Sequence, residues 1–174
     1  MPNRYHPVLI ALHWLIAFCL FGLLIAGTVL LAPVPNEAPQ KLLSFRLHMG
    51  LGVLTLFLLV LRLAVRLTTR VPDRAVTGNP ALDLVARANH WALYLVAFVM
   101  AGSGIALARA SGLPDTVFGD GPMPPDFAGY TARQVHGVAS RLLMALIALH
   151  VAAALWHHFV RRDGLFTRMW FGPR

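Results

Sequence analysis

Four long stretches of the chain consist almost entirely of apolar residues. Aspartate, glutamate, lysine and arginine are absent from 7–36, 47–61, 90–108 and 142–160. A helix of about 20 apolar residues crosses the hydrocarbon core of a bilayer, and somewhat fewer suffice where polar residues flank them. The pattern therefore predicts four transmembrane helices, at about 8–31, 44–67, 90–109 and 135–160.

The connections between these segments are polar or rich in turn-forming residues. Residues 72–80 contain turn formers, and 81–89 form a predicted helical lead-in to the third segment. The longest predicted non-helical stretch, 111–130, has four prolines and four glycines. It must lie outside the lipid, because irregular backbone exposed to hydrocarbon cannot satisfy its hydrogen bonds. We predict one transmembrane domain over 1–174, an all-α membrane four-helix bundle.

Composition supports a membrane protein. Hydrophobic residues make up 57% of the chain and charged residues 13%, whereas a soluble domain has about 25% charged residues. Cys19 is the one cysteine. With one cysteine, the chain cannot form an internal disulfide or hold a cysteine-ligated iron–sulfur cluster. It also lacks the C-x-x-C-H motif for covalent haem attachment.

The net charge of +8 reflects topology rather than a nucleic-acid surface. Most arginines fall before the first helix, between the second and third, or after the fourth, all on one side of a four-helix bundle. The positive-inside rule makes that side cytoplasmic, with both termini. We therefore expect lipid but no nucleic acid as a partner. The arginines that set this orientation are Arg4, Arg66, Arg70, Arg74, Arg87, Arg161, Arg162, Arg168 and Arg174.

Four histidines sort by predicted depth into two pairs. His13 and His150 lie in the cytoplasmic halves of the first and fourth helices, while His48 and His136 lie near periplasmic helix starts. His136 and His150 are fourteen residues apart, nearly four turns, so they share a face about 21 Å apart along the axis. A single membrane histidine often only hydrogen-bonds a neighbouring helix. Two depth-matched pairs indicate two stacked metal centres.

The ligand sets favour haem iron over other metals. A zinc site needs three or four protein ligands at one depth, whereas each level here has two imidazoles and no acidic residue. Two axial imidazoles suit haem, because the porphyrin supplies the other four ligands. Glycines at 50, 52, 102, 104 and 137 would admit a macrocycle or allow close helix packing. A non-redox transition-metal carrier using the same histidines remains an alternative, and it predicts no Soret band.

Further residues are candidates at the edges of these sites. His90 competes for the cytoplasmic site, but we place it nearer the interface and keep His13. His157, with His158 adjacent, is two turns beyond His150 and is a candidate quinone site or an interfacial pair. Candidate partners of haem propionates are Arg46, Arg133 and Arg141, of which the first two would otherwise snorkel to the interface.

These residues resemble the bacterial cytochrome b561 family, four-helix dihaem b-type cytochromes, over essentially the whole chain. The resemblance is carried by ALHW at 11–14, HMGLG at 48–52 with Arg62 and Arg66, HWALY at 90–94, VHG at 135–137 and LHVAAALWHH at 149–158. It implies two non-covalent b haems held by His13, His48, His136 and His150, and electron transfer to or from ubiquinone in the bacterial inner membrane.

The resemblance also implies two candidate activities. Some similar proteins are superoxide oxidases, which take electrons from periplasmic superoxide and pass them to ubiquinone. The alternative is a cytochrome b membrane-anchor subunit that passes electrons from a partner dehydrogenase or hydrogenase to quinone. Bis-histidine haems have no open coordination position, so either activity would be electron transfer rather than oxygen binding.

Overall fold

The computed structural model describes residues 4–73 and 77–172, and every regular element within them is helical. The all-α prediction is confirmed. The elements are α1 (Pro7–Ile25, continued by a π-helical stretch at Ala26–Leu31), α2 (Pro39–Thr68), α3 (Pro80–Ser111), α4 (Leu113–Phe118), α5 (Thr131–Leu155, continued by a π-helical stretch at Trp156–Arg161) and a 3-10 turn at Phe166–Met169. Arg74 and Arg174, which contribute to the predicted orientation, lie outside the described residues.

Proline and capping side chains define where the long helices begin. α1, α2 and α3 each start on a proline, whose fixed φ suits the first helical position and whose missing N–H would have no partner there. Asn79 Oδ1 accepts a hydrogen bond from Ala81 N at 3.0 Å before α3. Gly112 ends α3 in the left-handed conformation, with φ 68°, which costs a glycine little.

Four helices are long and apolar enough to cross a membrane. They are Pro7–Leu31, Pro39–Thr68, Pro80–Ser111 and Thr131–Arg161. The shortest has 25 residues, about 37 Å at 1.5 Å per residue, which exceeds the roughly 30 Å of hydrocarbon. Large apolar side chains such as Phe18 and Phe57 are exposed around the bundle, where lipid would surround them. The prediction of four membrane helices is confirmed.

The start of α2 and the third connection differ from the predictions. α2 begins at Pro39 rather than about 44, because its first turn is polar and extends beyond the apolar span, whereas α3 begins at Pro80 and includes the predicted helical lead-in at 81–89. The expectation that 111–130 is non-helical is wrong at its start, where α4 lies. Leu113 and Val117, four residues apart, bury one face of α4 and so stabilise it.

The bundle consists of two helix pairs. α1 packs on α2, α3 packs extensively on α5, and α2 joins the pairs by contacting α3. All four helices contribute to the core, whose buried residues are Leu12, Ile16, Cys19, Leu58, Leu59, Tyr94, Ala97 and Leu143. Leu143 is completely buried and lies seven residues from both His136 and His150. Packed apolar side chains therefore separate the two histidine levels.

The segments at the end opposite the termini are packed onto the bundle. Asn36 Nδ2 donates to Pro124 O at 2.9 Å, and the rings of Phe45 and Phe127 lie 5.6 Å apart. Lys41 is buried, and its ammonium group donates to Leu31 O and Val34 O, both at 2.5 Å. These bonds satisfy carbonyls at the end of the first membrane helix.

Candidate functional site

The two predicted histidine pairs are brought together at opposite ends of the bundle. His13 on α1 faces His150 on α5, with ring centroids 6.1 Å apart and planes at 67°. We call this pair the terminal site, because it lies toward the end where α1 begins and α5 ends. His48 on α2 faces His136 on α5, with centroids 6.3 Å apart and planes at 71°. This pair is the loop site.

The spacing within each pair fits one metal ion held by two opposed imidazoles. A metal–imidazole bond is about 2 Å long and the ring centre lies roughly 1 Å beyond the nitrogen, which places the two centres about 6 Å apart. Both measured separations agree with this value. Within residues 4–73 and 77–172, no group of three or more His, Cys, Asp or Glu side chains is arranged to hold a metal. A metal with two protein ligands therefore needs the rest of its coordination from a cofactor, as haem provides.

The loop site has the surroundings of a ligand pair. His136 Nδ1 donates to Met100 O at 3.0 Å, which fixes the ring and leaves Nε2 free for a metal. Ser103 Oγ lies 3.2 Å from the same nitrogen. His48 Nδ1 is buried and has no hydrogen-bond partner among the described residues. A buried polar nitrogen without a hydrogen-bond partner costs free energy. A cofactor bound between His48 and His136 would place a new group beside this nitrogen.

Glycine at two positions lets these imidazoles approach the neighbouring helices. A Cβ on Gly104 of α3 would lie 3.2 Å from His136 Cε1, closer than ordinary contacts allow. A Cβ on Gly27 would lie 3.6 Å from His48 Cε1. Gly104 of α3 thus leaves space for the His136 ring, and Ser103 beside it contacts the same ring. Gly50 and Gly52 face open space, which leaves room beside α2.

His90 lies beside His150 at the terminal site. It is ten residues inside α3, because α3 starts at Pro80, and its ring centroid lies 5.2 Å from that of His150. This separation is shorter than the roughly 6 Å expected of two imidazoles on opposite sides of one metal. His90 Nδ1 donates to Ala86 O of its own helix at 2.6 Å. His13 thus has the spacing of an opposed ligand partner of His150, whereas His90 does not, and the placement of His90 near the interface stays a prediction.

The three candidate propionate arginines are exposed. Arg46 Nε donates to Val117 O of α4 at 2.6 Å, so part of this guanidinium serves the loop packing. Arg133 precedes the loop site by less than one turn on α5, and Arg141 follows His136 on the same helix. No acidic side chain pairs with any of them among the described residues.

Arg62, which was not predicted as a site residue, lies half-buried between α2 and α3. Its guanidinium donates to the Tyr94 hydroxyl and lies over the Tyr94 ring, 5.3 Å from the centroid. Its Nε is buried without a partner. The available signal was its position inside an otherwise apolar helix, which is unusual for a charge.

His157 and His158 lie together in the π-helical end of the last membrane helix. His157 Nδ1 donates to Asp163 Oδ2 at 2.5 Å, and Arg161 Nε lies 3.7 Å from the same oxygen. Partial burial alone would raise the pKa of the Asp163 carboxyl, but the hydrogen bond from His157 and the nearby positive charges hold it below its usual range. The His158 ring lies 5.1 Å from that of Phe166.

The segment after α5 folds back against the start of α1. Trp14 Nε1 donates to Met169 O at 2.8 Å, and the rings of Trp14 and Trp170 lie 5.3 Å apart. Phe166 and Trp170 stack with centroids 5.7 Å apart. Trp14 also contacts His13, with centroids 5.4 Å apart, so these aromatic residues cover the terminal site from the chain-end side.

A four-helix membrane bundle with opposed imidazoles at two levels defines the class of membrane-embedded cytochromes. The sequence profile of the prokaryotic cytochrome b561 family matches residues 4–172. The chain belongs to the prokaryotic cytochrome b561 family. It is thus a multi-pass bacterial membrane protein, a b-type cytochrome that takes part in electron transfer.

Individual relatives span nearly the whole chain. Cytochrome b561 homolog 2 of Escherichia coli (strain K12) is 32% identical over 97% of this chain and 92% of its own length. The probable superoxide oxidase CybB of Yersinia pestis is 26% identical, with 97% of each chain covered. Cytochrome b562 of Cereibacter sphaeroides is 27% identical over 95% of this chain and 94% of its own.

Proposed function

We propose that the chain is a dihaem cytochrome of the bacterial inner membrane that oxidises periplasmic superoxide and reduces ubiquinone. His13 and His150 would hold the haem of the terminal site, and His48 and His136 that of the loop site. The observation that carries the proposal is the pair of ring separations, 6.1 and 6.3 Å, at the two ends of one bundle. Both termini would be cytoplasmic, as the arginine distribution indicates.

The chain's own residues provide ligation, orientation and insulation. Haem b, when bound, supplies reversible one-electron oxidation and reduction of its iron. Met100 O holds the His136 ring so that Nε2 faces the site, and Gly104 gives that ring its space. Leu143 and the surrounding core exclude water between the two levels. The bundle thereby keeps two redox sites apart and in fixed positions across the membrane.

The overall reaction balances with two electrons. Two superoxide anions each lose one electron and become dioxygen, while ubiquinone gains two electrons and two protons and becomes ubiquinol. The likeness to a probable superoxide oxidase supports this donor. Arg46, Arg109 and Arg133 are exposed at the loop end and offer positive charge to an anion, whereas Lys41 is buried against carbonyls and does not.

We place ubiquinone beside His157 and His158. The Asp163 carboxylate accepts from His157 Nδ1, so the other ring nitrogen is the one free to hydrogen-bond a quinone carbonyl and hold a proton there. Both histidines lie at the chain-end side, where cytoplasmic water supplies protons in the proposed orientation. Asp163 acts as a positioning residue, because it touches His157 and not the substrate.

Asp163→Asn is expected to weaken quinone reduction without affecting haem content. Asparagine keeps the size but loses the charge-assisted hydrogen bond, and we expect a threefold to tenfold loss of kcat/KM for ubiquinone, an effect of roughly 1 kcal/mol for a pair near the surface. Asp126→Asn at the opposite end is the matched control and should leave the rate unchanged. Equal rates in both variants would contradict the role of Asp163.

The decisive experiment for the proposed function uses the purified full-length chain in detergent or vesicles. Its absorption spectrum should show the Soret band of haem, which a metal carrier without haem would lack. Superoxide generated in the presence of a soluble ubiquinone should yield one ubiquinol for each two superoxide anions consumed. Superoxide dismutase, added as the control, should abolish the reaction.

The same experiment separates the alternative activity. A membrane-anchor subunit would show the haem spectrum but no superoxide-driven ubiquinol formation, and it would reduce quinone only with a co-purifying dehydrogenase or hydrogenase. That outcome would contradict superoxide as the donor while leaving the cytochrome assignment intact.

A further inference from the structure

Arg62 is a half-buried cation on a membrane helix, with its Nε fully buried and no counter-ion among the described residues. Within the described part of the chain, the ion pairs involve Asp163 alone, so no carboxylate neutralises Arg62. Its side chain makes a hydrogen bond to the neutral Tyr94 hydroxyl, and its Nε has no partner. Burying an unpaired charge is costly, and membrane-embedded charges normally pair with one another or with a ligand. The arrangement is therefore incomplete and needs an anion.

The position of Arg62 indicates where that anion lies. Arg62 is six residues before the end of α2 at Thr68, and His13 is six residues after the start of α1 at Pro7, so both lie at one depth from the same end. Tyr94, which contacts Arg62, lies one turn from His90 on α3, and the His90 ring centroid is 5.2 Å from that of His150. The cation thus belongs to the terminal site rather than to the lipid-facing surface.

Tyr94 and its neighbours hold the guanidinium in place. The hydroxyl of Tyr94 accepts from Arg62, and the ring supports the cation from one side. One turn nearer the end of α2, the Arg66 guanidinium carbon lies 5.9 Å from the centroid of the Trp91 ring. This is a second cation–π contact between α2 and α3. These contacts fix the α3 side of Arg62, while Nε remains unsatisfied.

We propose that Arg62 binds a carboxylate of the haem at the terminal site, with Tyr94 positioning its guanidinium. The inference rests on the proposed function, because it assumes a haem between His13 and His150. Haem brings two propionate carboxylates, and a guanidinium is the side chain best matched to a carboxylate. Arg46, Arg133 and Arg141 are exposed, whereas Arg62 is the cation fixed between helices at this level.

Arg62→Gln should release haem faster from the terminal site. The test is the rate of haem transfer from the purified protein to excess apomyoglobin. The variant is made in a His48→Ala background, so that only the haem of the terminal site is present. Loss of a charge-assisted hydrogen bond predicts about tenfold to hundredfold faster release. The midpoint potential of this haem should also fall, because the lost cation stabilised the reduced form, which carries one more negative charge.

Three further variants exclude a merely structural role. Arg62→Lys should retain much of the potential but lose part of the haem affinity, because an ammonium keeps the charge without the planar fork. Tyr94→Phe should give a smaller effect than Arg62→Gln, since the ring remains. Arg66→Gln, one turn away on the same helix, removes the other α2–α3 contact and is the control for a structural role: it should speed haem release far less than Arg62→Gln does.

The outcomes separate this inference from the proposed function. If His150→Ala keeps the terminal-site haem, the ligand assignment itself fails. If His150→Ala loses that haem but Arg62→Gln changes neither release nor potential, Arg62 does not bind the propionate and this inference alone is overturned. Equal losses in Arg62→Gln and Arg66→Gln would also overturn it, because they would show a general weakening of the α2–α3 contact.

Discussion

Replacing His48 by alanine is expected to leave one haem per chain in place of two. His48 and His136 oppose each other at 6.3 Å, and no third side chain at that level is arranged to take over a ligand position among the described residues. A haem that loses one of its two imidazole ligands is held far more weakly by the protein, because its other contacts with the chain are non-covalent. The measurement is the haem-to-protein ratio of the purified chain, from the pyridine haemochrome spectrum and amino-acid analysis.

Partner and control variants make this experiment specific. His136→Ala should give the same single loss, and the double variant should lose no more than either single variant, because the two residues act as a unit. His6→Ala removes a histidine that lies before α1 and should retain both haems. Two haems in His48→Ala would contradict the loop site.

The haem that His48→Ala retains should be that of the terminal site, which shares only α5 with the loop site. Leu143 and the rest of the core lie between the two levels and do not depend on His48. Loss of both haems together with loss of folded protein would instead show that His48 maintains the bundle. Restoring the second haem by adding imidazole to His48→Gly would distinguish ligation from such a structural role, because free imidazole can replace the lost ring.

The fold was predictable because lipid imposes a simple rule. A chain in hydrocarbon must satisfy its backbone internally, so long apolar runs become helices and their number follows from the sequence. The start of α2 at Pro39 is harder to predict, because its polar first turn follows capping rules rather than hydropathy. α4 was missed because its stability comes from burying Leu113 and Val117 against the bundle.

Depth was sufficient to pair the histidines, but not to find their neighbours. Residues at equal depth on packed helices must lie near one another, and the structure brings His13 to His150 and His48 to His136; their ligation of haem stays a prediction. The contact between Tyr94 and Arg62 joins separate helices, so it depends on how α2 and α3 rotate about their axes. Asp163 reaches His157 because the helix end is π-helical and Arg162 adopts a left-handed conformation. Hydropathy contains no signal for either arrangement.

His13→Ala is expected to remove the haem of the terminal site, whereas His90→Ala is expected to retain it. Two rings approach His150, at 6.1 Å for His13 and 5.2 Å for His90. Opposed imidazoles on one metal need about 6 Å between centroids, so only the first pair has room for the ion. His13 is also partly buried beside Trp14, whereas His90 is exposed.

The measurement combines haem content with the low-spin electron paramagnetic resonance signal of the oxidised protein. His13→Ala should lose one haem and one low-spin signal, and His90→Ala should keep both signals, with a shift confined to the terminal-site haem because its ring contacts His150. A retained signal in His13→Ala that disappears only in the His13→Ala/His90→Ala double variant would assign the ligand to His90 instead. The variant His150→Ala is the positive control. Whether His13 or His90 is the second ligand, His150 is required, and its loss should remove the same haem.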